Sequence, residues 1–143
     1  MRRRRWGLTL LAAACAAALL CACGKDAGRA QTTAEAAAEL DAFTEELVRK
    51  VEGGPDTPAG VGEARALLDA RRGELRAKVL AARRSEEYAR GGEARERWDE
   101  RESENVFRVA GLRTKYVARA MDDAAFKSQL DALVADYQKL FEP

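Results

Sequence analysis

Near the end of the 143-residue chain, Phe126, Leu130, Leu133, Tyr137 and Leu140 recur at steps of 4, 3, 4 and 3. Side chains at that spacing lie on one face of an α-helix, and a repeat averaging 3.5 residues is the seam along which helices pack. Val134 and Phe141 widen the stripe. No stretch of the chain alternates apolar and polar residues with a period of two, so no strand is expected. A chain of this kind buries its apolar surface helix against helix.

Glycine and proline divide the rest into three more helical stretches. A loop is expected over 53–60, Gly-Gly-Pro-Asp-Thr-Pro-Ala-Gly, with a second break at Gly91-Gly92 and a short third one at Met121-Asp122-Asp123. The first stretch, about 33–52, opens with Thr32 and Glu35 at capping-box spacing and carries Leu40, Phe43, Leu47 and Val51 on one face. The second, about 61–90, has a seam of Ala64, Leu68, Leu75, Val79 and Ala82. Arg71 or Arg72 interrupts that seam, and Gly73 weakens a helix by about 1 kcal/mol relative to alanine, which leaves room for a kink or a break near 71–73. The third, about 93–120, brings Trp98, Glu102 or Asn105, Val109, Leu112 and Tyr116 to one face. The fourth, about 123–141, takes Asp122 as its N-cap.

Four amphipathic helices with short connections predict an all-α fold, an antiparallel four-helix bundle over residues 32–143. Charge favours the pairing of the first two. Residues 31–52 carry two bases and six acids, whereas residues 63–90 carry eight bases and five acids. Helices two and three are also long, about 40 Å each at 1.5 Å per residue, which allows an extended hairpin docked on a second copy.

The N-terminus has a different character. Arg2, Arg3, Arg4 and Arg5 precede an uncharged, Ala- and Leu-rich run from Leu8 to Ala22. A basic n-region before a short apolar run is the layout of a secretory signal peptide, and the run falls short of the roughly 20 residues of a membrane span. Within it, Leu20-Cys21-Ala22-Cys23 resembles the bacterial lipobox, Leu-x-Ala/Gly-Cys. The resemblance covers about the first 24 residues. It implies cleavage after residue 22, a diacylglyceryl group on the sulfur of Cys23, and a bacterial lipoprotein held in the cell envelope. Cys21 follows bulky Leu20, and Cys15 lacks the preceding leucine, so both fit less well. Gly24 is not the aspartate that retains enteric lipoproteins at the inner membrane, which favours the periplasmic face of the outer membrane in a Gram-negative cell. The expected organisation is a signal peptide over 1–22, a short tether over 23–31 and a helical domain over 32–143.

Without residues 1–22 the chain carries 21 bases and 24 acids, a balance that does not point to nucleic acid. It has no histidine and no cysteine after Cys23. Imidazole base catalysis, Glu-x-x-His di-iron chemistry and c-type haem attachment therefore lack their residues. A Cys-x-Cys metal site lacks further ligands, and a disulfide across one residue would be strained. The acids over 93–104 alternate with Arg95, Arg97 and Arg101, as on a solvated, salt-bridged face. Neither catalytic residues nor a cofactor or metal is assigned. Asn105 and Arg113, polar and close to the third seam, are the candidates for facing a pocket or a partner.

These observations predict a lipid-anchored, non-enzymatic helical module that binds another envelope protein or itself. The alternative is a small-molecule or lipid binder using the bundle interior. A cavity lined by Phe43, Leu68, Val109 and Phe126 would distinguish it.

Overall fold

A computed structural model describes residues 32–53 and 57–143. The signal peptide, Cys23 and the tether lie outside the described residues. Six helices account for all the regular structure among the described residues: α1 (Thr33–Gly53), α2 (Thr57–Arg84), α3 (Glu86–Ala89), α4 (Glu93–Lys115), α5 (Val117–Asp122) and α6 (Ala124–Gln138).

The expected second and third stretches each divide into a long helix and a short one. Ser85 accounts for the first division. It leaves helical geometry at ψ 150°, and its hydroxyl accepts the Tyr88 N–H at 3.1 Å, which caps α3. The second division falls at Tyr116, whose φ of −105° and ψ of 20° loosen one turn between α4 and α5. Its ring packs edge-on against Phe126 of α6, 5.9 Å between centroids.

Three other expectations change. The N-cap of the last helix is Asp123, not Asp122: its carboxylate accepts the Phe126 N–H at 2.9 Å. The helix is not broken near 71–73: α2 runs through Gly73 as one α-helix. Arg71 does not break the seam because it lies over the Phe43 ring at 5.8 Å and pairs with Glu39 at 2.8 Å. Part of the expected loop over 53–60 is the first turn of α2. Pro58 is tolerated there because first-turn N–H groups have no intrahelical partner. Gly60 lets α2 start so close to the end of α1: a Cβ there would fall 2.5 Å from the Lys50 carbonyl oxygen and 2.8 Å from that of Val51.

The capping box forms as expected. Glu35 N–H donates to Thr32 Oγ1 at 3.2 Å, and Thr32 N–H donates to Glu35 Oε2 at 2.9 Å. α1 packs against α2 and α4, and α6 packs against α2, α4 and α5. α2 thus lies on α1 and α6 rather than forming an extended hairpin with α4. Ion pairs fix the directions. Glu39 meets Arg71 and Lys78 while Lys50 meets Glu63, so α1 and α2 are antiparallel. Asp41 meets Arg101 while Glu52 meets Lys115, so α1 and α4 run the same way.

One contiguous apolar core joins the helices, with Leu47, Leu68, Val109, Leu133 and Val134 wholly buried. The acidic α1 and basic α2 are joined as their charges predict: Lys78 Nζ donates to Glu39 at 2.5 and 2.7 Å and to Glu74 at 2.6 Å. Hydrogen bonding to Glu39, and then to Glu74, holds the Lys78 ammonium above its ordinary pKa.

Candidate functional site

The two polar residues singled out on the third seam have separate positions. Asn105 is 1% exposed, in the middle of α4's inward face. Its amide Nδ2 donates to Asp41 Oδ1 at 2.5 Å and to the Arg101 carbonyl at 2.9 Å. With both N–H groups used, its buried Oδ1 has no partner. Arg113 lies at the surface, where its guanidinium donates to Asp131 Oδ1 at 2.7 Å. It joins α4 to α6 and is not brought together with Asn105.

Two further buried polar arrangements were not anticipated. Thr44 of α1 donates its hydroxyl to the Leu40 carbonyl at 2.8 Å, so at 2.6 Å its oxygen accepts from the Tyr137 hydroxyl of α6. Burial, the dominant cause, pushes the Tyr137 phenol well above its ordinary pKa, so it remains a donor. Glu102, on the seam one turn before Asn105, accepts Trp98 Nε1–H at 3.1 Å and Arg83 Nη2–H at 2.5 Å. The other arm of Arg83 donates to the Phe141 carbonyl at 2.8 Å, which ties α2 to the C-terminal turn. Such groups fix which helices pair and at what register, because each buried donor or acceptor loses its partner if a helix slides. The spacing of Trp98 and Glu102, one turn apart, is the sequence signal for one of these bonds; the Thr44–Tyr137 bond crosses 93 residues and has no local signal.

Phe43, Leu68, Val109 and Phe126 all sit inside the packed core, each no more than 1% exposed. Two grooves lie among the described residues. One, of about 380 Å³, runs between the start of α1 and the start of α4 and is lined by Ala34, Ala37, Ala38, Ala94, Trp98 and Arg101 among others. The second, of about 610 Å³, lies at the far end of α1 beside Arg108. Neither is lined by any of the four core residues.

Among the described residues no group of three or more acids or cysteines is arranged to hold a metal ion. Arg97 pairs with Glu93, Arg95 with Asp99 and Arg101 with Glu104, each one helical turn apart, so the acidic start of α4 is a salt-bridged surface. No described helix is long and apolar enough to cross a membrane. No protein-family model, curated protein or solved structure matches this chain.

Proposed function

We propose that this chain is a lipid-anchored protein of the bacterial envelope whose helical domain is a non-enzymatic interaction module. The anchor reading rests on Leu20-Cys21-Ala22-Cys23 following an arginine n-region and an uncharged run. The observation that carries the module reading is that the four residues expected to line an interior cavity are buried in the core, each no more than 1% exposed. With Phe43, Leu68, Val109 and Phe126 all members of one buried apolar cluster, we read recognition as belonging to the outer surface. We read α1, α2, α4 and α6 as the members of a four-helix bundle, with α3 and α5 as connectors. Each of the four packs against two of the others, which supports that reading. The nine residues from Cys23 to Thr32 reach at most about 32 Å when fully extended, so an anchored domain works close to its own membrane. Gly24 favours the outer membrane in a cell that has one.

Metabolic labelling with a fatty acid tests the anchor. The wild-type chain should carry the label and sediment with membranes, and Cys23→Ser should lose both. A labelled Cys23→Ser chain would overturn the assignment. Native mass spectrometry of the gently extracted protein tests the module: a protein-sized added mass or a clean oligomer is expected, and a small-molecule adduct would contradict it.

A further inference from the structure

The connection between α2 and α4 is built differently from the helices it joins. α3 has four residues, and none of them is buried. At both of its ends the backbone leaves helical geometry: Ser85 has a ψ of 150°, and Gly91 and Gly92 have φ of 74° and 68°. A Cβ at either glycine would meet nothing within 4 Å, so glycine serves the left-handed backbone there and not a close approach. A short, exposed segment between two such ends shares little of the stability of the core and can open by itself.

Side chains from two neighbouring residues hold it down. Tyr88 packs half-buried against the core, its hydroxyl donates to Asp99 at 2.9 Å, and its ring centre lies 5.3 Å from the Arg95 guanidinium. Tyr88 thus ties α3 to the start of α4. Glu87 reaches the other way: its Oε2 accepts the Thr33 N–H of α1 at 3.2 Å. The first N–H groups of a helix have no intrahelical partner, so a carboxylate from another element caps α1 here. Hydrogen bonding to Thr33 holds the Glu87 carboxyl below the ordinary carboxylate range, so it remains an acceptor at neutral pH.

Glu87 and Thr33 also line the groove of about 380 Å³, together with Ala94 and Trp98 of α4. Trp98 is only 2% exposed. The one bond from α3 to the start of α1 therefore lies at the edge of that groove.

We infer that residues 85–92 form a hinged strap, latched to the first turn of α1 by Glu87, whose release opens the groove beside Trp98 while α1, α2, α4 and α6 stay packed. This goes beyond the interaction-module reading and does not depend on it. In the closed form seen here the strap caps α1 and walls the groove. In the open form Thr33 N–H loses its acceptor, and the groove loses the wall that Glu87 supplies. Ala89 N–H donates to the Ser85 carbonyl and Arg90 N–H to that of Glu86, so Glu87 and Tyr88 ride on one hydrogen-bonded turn. Freeing Tyr88 from α4 therefore also frees Glu87 from α1.

Amide hydrogen exchange and acrylamide quenching of the purified full-length protein test this, in a Trp6→Phe background that leaves Trp98 as the one tryptophan. In the wild type, Thr33 and the amides of α3 should exchange far faster than Leu47 in the middle of α1. Tyr88→Ala keeps both partners of the latch, yet should speed Thr33 exchange about threefold or more and make Trp98 easier to quench. Gly91→Ala penalises the closed backbone without removing a contact, and should move both readouts the same way by a smaller factor. Thr33 exchanging as slowly as Leu47 would mean that α3 opens only with the whole domain, and would overturn the strap. Tyr88→Ala leaving both readouts at their wild-type values would overturn it as well, making α3 a fixed connector. Faster Thr33 exchange without easier quenching overturns the opening of the groove, and easier quenching without faster exchange overturns the latch.

Discussion

The two seams of α4 share one spacing and differ in what fills it. The inward seam combines large apolar groups with a buried amide and a carboxylate, each bonded across to another element or along the helix: Asn105 to Asp41, Glu102 to Arg83. The outward one, with Ser103, Phe107, Thr114, Val117 and Met121, is exposed and has none of those bonds. A seam that must choose among several helices within one chain needs polar groups that fit one register only.

Substitutions at matched positions sharpen that contrast. The largest effect is expected for Asn105→Asp, which sets a buried carboxylate against Asp41 in place of an amide donor. About 3–5 kcal/mol of stability should be lost at pH 7, as when a buried charge has no partner. Burial and the neighbouring carboxylate should raise the folded-state pKa of the new acid, so the folded chain binds the proton more tightly than the unfolded one. The loss should therefore be small below the unfolded value of about 4 and grow as pH rises through the folded value. Urea titrations at pH 4 and 7 would check this.

Next comes Leu112→Ala, expected to cost about 2–5 kcal/mol by opening a cavity in the core. Phe107→Ala, one face away, should change the stability of a single copy by no more than about 0.5 kcal/mol. Urea midpoints at low protein concentration would separate the two; equal losses would mean that the outward seam is part of the monomer's own packing.

Tyr137→Phe removes one buried hydrogen bond while Thr44 keeps its bond to the Leu40 carbonyl, and about 1 kcal/mol should be lost. The smallest effect concerns pH in the wild type. Asp131 is held below the ordinary carboxylate range chiefly by its bond to Lys127, and Asp136 chiefly by its bond to Lys139. Their stabilising contribution is present above the unfolded value of about 4 and is lost as pH falls through the lowered folded value. With no histidine in the chain, the thermal midpoint should be level from about pH 5 to 8 and fall only in acid.

Much of the fold was legible in the sequence because it rests on local rules. The seams of α1, α2 and α6 and the Thr32–Glu35 capping box need only residues a few positions apart. The start of α2 was not legible, since Gly60 has its role only because the carbonyls of Lys50 and Val51 lie against it. The continuity of α2 at Arg71 depended on Phe43 and Glu39 of another helix. Asn105 could be picked out as a polar residue near a seam, but its bond to Asp41 spans 64 positions. The outward seam was present in the sequence at regular spacing. It became recognisable once the inward face of α4 was known and Phe107, Val117 and Met121 were seen to remain uncovered.

The central claim is that one face of α4 builds the domain and the other, with Phe107, Val117 and Met121 exposed, takes no part in its packing. The most direct test is the urea midpoint of the purified protein at low concentration for the wild type, Leu112→Ala and Phe107→Glu. Leu112→Ala should lower the midpoint by opening a cavity, whereas Phe107→Glu should leave it at the wild-type value. A Phe107→Glu chain destabilised as much as Leu112→Ala would contradict the account.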